Sequence, residues 1–355
     1  MIQSSLTETN AAQARALDLL RNGRRFLLCG HVRPDGDCLG AQAALARVLT
    51  AMGKDVWIQN TDAPEPRFDY LARDVKFGVY QGGDLPRHDV SVLLDFCELS
   101  RTGSMEPALA AHASKKLVID HHVAPGVPWW DEAYVDVRAS ATGILVRRIA
   151  AQLGVPLDVA AARGVFTSIV TDTGWFKYSN TDAETLAAAA EMTALGVVPN
   201  VVYAALHQRQ PLGHPPALAR AIERLEYHAD GRLAVVDIPL GPVDSGALDT
   251  DEVLDILRAV ERVEVVLLLR EMPAGGVKLS ARSKGDFDVH ALARQFGGGG
   301  HKKASGATVL GTTMADFRAR LVAATLAALG ETAATGAGPR SGGTNQAGGG
   351  ARNGG

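Results

Sequence analysis

Short apolar runs alternate with amphipathic segments through the first half of the chain. Runs of strand length cover residues 25–30, 55–60, 90–96 and 115–120. Continuous apolar runs of this kind are typical of strands that are buried on both faces of a parallel sheet. Helical patterns cover residues 8–22, 38–53, 140–153 and 157–171. This order predicts an α/β fold, in which a mainly parallel sheet is flanked by helices.

The pattern changes in the second half of the chain. Thr181–Glu184 has the spacing of a capping box and predicts a helix that runs to Leu195. Residues 196–225 carry several prolines and predict a helical connector. Residues 226–330 contain two predicted hairpins, which turn at Asp230-Gly231 and at Pro273–Gly276. We therefore expect a first domain over 1–195, a smaller α+β domain over 226–330, and a disordered glycine-rich tail over 331–355.

Composition excludes several classes of protein. A net charge of −3 over 355 residues argues against a basic nucleic-acid coat protein. Three cysteines without a C-x-x-C pair indicate neither a disulfide framework nor a zinc knuckle. The first residues lack the pattern of a signal peptide, and no apolar run reaches the ~18 residues that a membrane span requires. We expect a cytoplasmic protein that does not enter the membrane.

Acids and histidines follow several of the predicted elements. These candidate residues are His31, Asp35, Asp37, Asp95, Asp120, His121, His122 and Asp172. Each cluster alone has an ordinary alternative, such as a polar loop or, for Asp37, a helix cap. Together they place imidazoles and carboxylates at the carboxyl ends of parallel strands, where ligands bind in open α/β sheets.

The chemistry of this set favours a metal centre. It is rich in oxygen, contains imidazoles and has no clear thiolate, which favours Mn²⁺ or Mg²⁺ over structural zinc. Six or more ligands exceed what one ion needs, so the set predicts two cations. Such a pair stabilises the charge that develops on a phosphoryl group during hydrolysis.

The order and spacing of these clusters resemble the four motifs of the DHH phosphoesterases, over residues 10–195. The resemblance implies that His31 and Asp35 hold one cation, that Asp37, His121 and Asp172 hold the other, and that Asp95 bridges both. It also implies that His122 lies beside the scissile phosphate and that Asp120 orients the histidines. Ser140 and Thr142 match a family stretch at a helix start, and we expect Ser140 to cap that helix.

A second match lies in the C-terminal half. Arg282-Ser-Lys284 and the run from Phe296 to Gly306 resemble the glycine-rich signature of the DHH-associated C-terminal domain. A glycine run is often only a flexible loop, but side-chain-free backbone also lets N–H groups approach a phosphate closely. The resemblance implies a set of substrate-binding residues, namely Arg282, Lys284, Gly298, Gly299, Gly300 and His301.

The two matches together resemble the nano-RNase group. We therefore expect a two-metal phosphoesterase that hydrolyses short RNA oligonucleotides and 3′-phosphoadenosine 5′-phosphate, and that forms a homodimer. A cyclic di-AMP or linear dinucleotide phosphodiesterase uses the same site and stays open as an alternative. A pyrophosphatase and a non-catalytic binding protein are less well supported. The sequence leaves open the cleavage polarity and the choice between Mn²⁺ and Mg²⁺.

Overall fold

A computed structural model describes residues 10–123, 128–241 and 248–330 of the chain. The glycine-rich segment 331–355, expected from its composition to be disordered, lies outside the described residues. The chain divides into two compact units, Met1–Arg209 and Gln210–Gly355.

The first unit is built on a six-stranded sheet in which every neighbouring pair of strands is parallel. Its strands are β1 (Arg25–Cys29), β2 (Asp55–Asn60), β3 (Phe77–Val79), β4 (Val90–Leu94), β5 (Lys115–Asp120) and β6 (Glu132–Val135). The strand order β3-β2-β1-β4-β5-β6 reverses direction between β1 and β4. This parallel sheet confirms the predicted fold class, and its reversal creates a crevice at the carboxyl ends of β1 and β4.

The helices of the first unit pack around this sheet. They are α1 (Ala11–Asn22), α2 (Gly36–Ala51), α3 (Glu106–Ala111), α4 (Thr142–Leu153), α5 (Val159–Asp172), α6 (Ala183–Ala194) and α7 (Pro199–His207), with 3₁₀ turns at Pro66–Phe68 and Leu99–Met105. Helices α2 and α5 approach closely at Gly40 and Gly164. A Cβ atom on Gly40 would lie 2.4 Å from the carbonyl oxygen of Gly164, so this approach requires glycine. The crossing brings the first turn of α2 close to the last turns of α5.

Helix α6 begins one residue later than the capping-box pattern predicted. Asp182, not Thr181, is the N-cap, and its partner in the capping box is Thr185 rather than Glu184. Glu184 accepts a hydrogen bond from Arg148 on α4 instead. The predicted members of the capping box are therefore wrong, because Glu184 forms a buried ion pair with the distant Arg148.

The second unit contains a mixed six-stranded sheet of order β11-β12-β10-β9-β8-β7. Its elements are α8 (His214–Ile222), β7 (Leu225–His228), β8 (Leu233–Ile238), α9 (Thr250–Arg258), β9 (Val265–Glu271), β10 (Val277–Ser283), α10 (Val289–Arg294), β11 (Gly299–His301), β12 (Ala304–Val309) and α11 (Met314–Ala328), with a 3₁₀ turn at Ala229–Gly231. The β7–β8 and β9–β10 pairs are antiparallel and confirm both predicted hairpins. The β8–β9 pair is parallel, and α9 lies in the crossover between its strands.

The segment predicted as a connector takes part in both cores. Val202 and Leu206 of α7 are buried in the core of the first unit, whereas Ala221 of α8 is buried in the second. No single helix in the described ranges is long and apolar enough to cross a membrane. Helices α6 and α7 meet that test as a pair, although they are bent by 106° at the break between them.

Candidate metal centre

Four segments of the first unit deliver acids and histidines to one edge of the sheet. His31 lies just beyond β1, and Asp95 directly follows β4. Asp120 is the last residue of β5 and precedes His121, while Asp172 ends α5. Because β1, β4 and β5 are parallel neighbours, their carboxyl ends meet at the crevice where the strand order reverses.

His31, Asp35 and Asp95 form the first group of converging ligand atoms. The His31 Nε2 atom lies 3.5 Å from Asp95 Oδ2 and 3.9 Å from Asp35 Oδ1. The His31 Nδ1 atom is 2.9 Å from the Val32 carbonyl oxygen, which can only accept a hydrogen bond. Nδ1 therefore carries the hydrogen, so the Nε2 lone pair is directed at the carboxylates.

A second group contains Asp37, His121 and Asp172. The His121 Nε2 atom lies 3.3 Å from Asp37 Oδ2, 3.8 Å from Asp172 Oδ2 and 3.5 Å from Asp95 Oδ1. The His121 Nδ1 atom donates to the Ala139 carbonyl oxygen over 3.0 Å. One Asp95 oxygen thus faces His31 and the other faces His121, which places this carboxylate between the two groups.

The donor set fits divalent cations. The buried His121 Nε2 atom has no hydrogen-bond partner among the residues that the structure describes. Burial and, next to it, the Asp95 charge together raise the pKa of Asp37 to about 8. Burial also raises the pKa of Asp172, to about 6. An unpartnered imidazole nitrogen among crowded carboxylates is typical of a site that binds metal.

Asp95 itself is held in its ionised form. Burial raises its pKa, but the adjacent side chains of His121 and His31 outweigh burial, so the pKa lies below its usual range. Asp95 also has a backbone φ of 73°, a left-handed conformation that non-glycine residues seldom adopt. A strained, buried and charged residue at the centre of the cluster is the pattern expected of a functional position.

His122 lies beside these groups and is oriented by Asp120. The Asp120 Oδ1 atom accepts hydrogen bonds from the backbone N–H of His121 and of His122, over 2.7 and 3.1 Å. It also accepts the His122 Nδ1–H over 2.8 Å. This last bond is the main cause that raises the pKa of His122. The expected orienting contact between Asp120 and the histidines is therefore present in the structure.

Three side-chain contacts to the candidate ligands Asp37, Asp95 and Asp172 were not foreseen from the sequence. The Thr142 hydroxyl donates to Asp95 Oδ1 over 3.0 Å, and the Ser168 hydroxyl donates to Asp37 Oδ1. The Asn180 side-chain amide donates to Asp172 Oδ2 over 3.2 Å. Of these residues, only Thr142 lies near a feature that the sequence predicts, the start of a helix. Ser168 lies inside an apolar helical pattern, which does not mark it as a polar contact.

The prediction that Ser140 caps α4 is wrong. The N-cap is Ala141, whose side chain makes no capping hydrogen bond. The Thr142 amide at the start of α4 instead donates to the Asp37 carboxylate over 2.9 Å. The Ser140 hydroxyl accepts a hydrogen bond from Thr185. A carboxylate from a distant helix therefore takes the place of the local cap.

The candidate substrate-binding residues lie in the second unit. The Arg282 guanidinium donates to Asp251 over 2.8 Å and sits on β10 beside β12. His301 is exposed at the end of β11. The Lys284 ammonium donates to the carbonyl oxygens of Val260 and Glu261, over 2.6 and 3.2 Å. Lys284 thus stabilises the chain that follows α9, a structural contact that its charge alone did not indicate.

The glycines of this segment differ in what surrounds them. A Cβ atom on Gly298 would lie 2.1 Å from the Gly306 carbonyl oxygen. Gly300 has a φ of 136°, which favours glycine. A Cβ atom on Gly299 would meet nothing within 4 Å. Gly298 and Gly300 are therefore required by the β11–β12 pairing, whereas Gly299 faces open space.

Comparison with known proteins gives matches along most of the chain. Residues 25–197 match the sequence model of the DHH family, N-terminal domain, and residues 242–328 match that of the DHHA1 domain. A Thermus thermophilus protein named bifunctional oligoribonuclease and PAP phosphatase NrnA is 33% identical to this chain. The alignment covers 79% of this chain and 83% of the Thermus protein. A Geobacillus thermodenitrificans cyclic-di-AMP phosphodiesterase GdpP is 27% identical to this chain. The alignment covers 86% of this chain and 47% of the Geobacillus protein.

The fold also matches a solved structure. The crystal structure of an exopolyphosphatase-related protein from Bacteroides fragilis superimposes with a TM-score of 0.80. The superposition covers 91% of this chain and 98% of the Bacteroides protein, at 22% sequence identity. At this sequence identity, the structural similarity shows a shared fold.

Proposed function

We propose, from the premise that this chain belongs to the DHH family and is a metal-dependent phosphoesterase, that it hydrolyses short oligoribonucleotides to mononucleotides and 3′-phosphoadenosine 5′-phosphate to AMP. The observation that carries the proposal is the Asp95 carboxylate, whose oxygens face His31 on one side and His121 on the other. The similarity to the Thermus thermophilus oligoribonuclease and PAP phosphatase supports this substrate class.

The assignment of ligands follows the two groups of converging atoms. His31 and Asp35 would hold one cation, Asp37, His121 and Asp172 would hold the second, and Asp95 would contact both. When bound, such cations supply Lewis-acid stabilisation of the negative charge that develops on a phosphoryl group. The oxygen-rich set accepts Mn²⁺ or Mg²⁺, and its imidazoles favour Mn²⁺.

His122 is the residue of this site best arranged to hold a proton for the leaving oxygen. Its Nδ1–H donates to Asp120, and we assign its Nε2 atom to the contact with substrate. The Asp120 hydrogen bond raises the pKa of His122 and so favours its imidazolium form. A cationic His122 would stabilise the scissile phosphate and donate a proton as the ester bond breaks.

The second unit would supply further contacts to the substrate. We assign Arg282, His301 and the backbone of Gly298, Gly299 and Gly300 to binding of the far phosphate or base of the substrate. Lys284 would contribute positive charge to the same surface. A net charge of −3 also suits small substrates better than long nucleic acids, whose binding depends on many phosphate contacts.

A substrate panel with the full-length protein tests the proposal. The panel holds RNA of two to five nucleotides, a 24-nucleotide RNA, 3′-phosphoadenosine 5′-phosphate, cyclic di-AMP and pyrophosphate, each with Mn²⁺ and with Mg²⁺. We expect mononucleotides from the short RNAs, AMP from the bisphosphate, and slow turnover of the 24-mer. Equal rates on the dinucleotide and the 24-mer would contradict a preference for short substrates. The Asp95→Asn variant is the control for a contaminating nuclease.

A second candidate is a phosphodiesterase that acts on cyclic di-AMP or its linear product. The similarity to a cyclic-di-AMP phosphodiesterase over 86% of this chain favours it. The two candidates share the site in the first unit, so the ratio of kcat/KM for cyclic di-AMP to that for dinucleotide RNA decides between them. A homodimer and a cytoplasmic location, both expected from the sequence, stay predictions; light scattering tests the first.

A further inference from the structure

The Asp120 carboxylate uses its two oxygens in different ways. The Oδ1 atom accepts all three hydrogen bonds from His121 and His122. The Oδ2 atom accepts the thiol hydrogen of Cys97, with 2.8 Å between Sγ and Oδ2. Asp120 is 0% exposed, so its second oxygen depends on a protein donor. Within the described residues that donor is the Cys97 thiol.

Cys97 is itself held firmly in place. Its side chain is buried in an apolar cluster with Leu93, Phe96 and Val118. Its carbonyl oxygen accepts a hydrogen bond from the Trp129 indole over 2.7 Å. Cys97 also follows Asp95 by two residues. The thiol therefore reaches Asp120 from a rigid segment that also carries the central acid of the metal centre.

We propose that Cys97 is a positioning residue whose thiol fixes the Asp120 carboxylate and, through it, the ring of His122. The inference rests on the proposed function, in which His122 faces the scissile phosphate. Without a donor at Oδ2, the buried carboxylate has reason to rotate or to recruit water, because a buried acceptor without a partner is costly. Either response changes the direction of the Oδ1 hydrogen bond that orients His122.

Two substitutions separate the hydrogen bond from packing. Cys97→Ala removes the donor, whereas Cys97→Ser keeps a donor of similar size. Cys29→Ala is the matched control, because Cys29 is also fully buried but belongs to a different apolar cluster, with Leu27 and Met105. Measurements are kcat and KM on dinucleotide RNA, bound metal per chain, and the midpoint of thermal unfolding.

The expected result is a loss of kcat that is confined to one variant. Cys97→Ala should lower kcat about tenfold, with KM and bound metal unchanged. This is the lower end of the loss of activity that follows removal of a hydrogen-bond partner from outside the ligand set. Cys97→Ser should restore kcat to about half of the wild-type value or more. Cys29→Ala should lower the unfolding midpoint but leave kcat unchanged. Wild-type kcat in Cys97→Ala, or equal losses in all three variants, would overturn the proposal.

A readout that needs no substrate separates this inference from the proposed function. In protein labelled with ¹⁵N-histidine and loaded with Mg²⁺, the His122 Nδ1–H should give a protected signal, assigned by its absence in His122→Asn. Cys97→Ala should shift this signal and speed its exchange with water, and Cys97→Ser should preserve it. If the wild type hydrolyses no substrate of the panel, the function fails, yet this signal still decides the role of Cys97. An unchanged signal in Cys97→Ala would reject that role.

Discussion

The backbone amide of Thr142 donates a hydrogen bond to the Asp37 carboxylate over 2.9 Å. This contact joins the start of α4 to an acid in the first turn of α2. The Thr142 hydroxyl donates at the same time to Asp95 over 3.0 Å. One residue therefore holds an acid from each of the two groups of ligand atoms, and its hydroxyl can be removed without disturbing its amide.

Thr142→Val should weaken metal binding while the fold is preserved. Valine has the shape of threonine and keeps the backbone bond to Asp37, but it leaves Asp95 without the hydroxyl. Loss of such an outer contact weakens metal affinity by roughly 10–100-fold. Isothermal titration with Mn²⁺ measures the change. Thr142→Ser retains the hydroxyl and should bind as the wild type does; equal weakening in the valine and serine variants would contradict this account.

Asp95→Asn should abolish turnover without unfolding the protein. Asparagine is the appropriate replacement because Asp95 has a φ of 73°, a conformation that asparagine tolerates better than alanine. Loss of the central charge should lower kcat by a factor on the order of 10³. Circular dichroism and thermal unfolding check the fold. A variant that folds normally and retains near-normal kcat would refute a role of Asp95 between the two groups.

Metal affinity should rise with pH between about 6 and 8. Burial raises the pKa of Asp37 to about 8 and that of Asp172 to about 6, so protons occupy both acids more as the pH falls. Cations must displace these protons, and affinity should therefore gain about tenfold per pH unit for each proton released. Titration calorimetry in buffers of different ionisation enthalpy counts the protons. Affinity that is constant over this range would contradict the shifts.

Local patterns were sufficient to predict that Asp95 and Asp120 share one edge of the sheet. Each acid comes at the end of an apolar strand, and parallel neighbours bring such ends together. The contacts of Ser168 and Thr142 with Asp37 could not be predicted in this way. They join residues more than 100 positions apart and depend on how α2, α4 and α5 pack, which no short pattern records.

Competition between local and distant partners explains the errors in helix capping. The pattern at Ser140 favours a side-chain cap, but Asp37 already accepts the first amide of α4. The pattern at Glu184 favours a capping box, but Glu184 instead accepts a hydrogen bond from Arg148. In both cases a buried charged group from another helix forms a stronger hydrogen bond than the local side chain offers.

The second unit shows the same limit. Both hairpins could be predicted because glycine marks their turns. Strand β11 could not, because Gly299 and Gly300 have low strand propensity and are paired by β12 across a tight turn. The charge of Lys284 indicated a contact with substrate, whereas its ammonium donates to two carbonyl oxygens.

Gly298→Ala and Gly299→Ala should differ in their effects on stability. A Cβ atom at Gly299 meets nothing within 4 Å, whereas one at Gly298 would lie 2.1 Å from a carbonyl oxygen. Gly298→Ala should therefore lower the unfolding midpoint, and Gly299→Ala should leave it unchanged. If substrate approaches the Gly299 backbone closely, Gly299→Ala should still raise KM several-fold. A normal KM on dinucleotide RNA would remove Gly299 from the proposed contact surface.

His88 anchors a buried polar network at the opposite edge of the first sheet. Its ring is 4% exposed and lies 2.8 Å from the Ser91 hydroxyl. Ser91 contacts the Ser114 hydroxyl, which accepts a hydrogen bond from Lys116. The His112 ring stacks on His88 with 3.9 Å between centroids. A proton on His88 would therefore be buried near a lysine and a second imidazole.

Acid should destabilise the first unit through His88. Burial lowers the pKa of His88 to about 4, from an ordinary value of 6.5. Between these values the unfolded chain binds a proton that the folded chain excludes, so the free energy of unfolding should fall as the pH drops from 6.5 to 4 and change less below it. His88→Gln should flatten this slope in urea titrations under the same metal conditions, although it lowers stability at pH 7. Parallel slopes for wild type and variant would show that His88 takes no part.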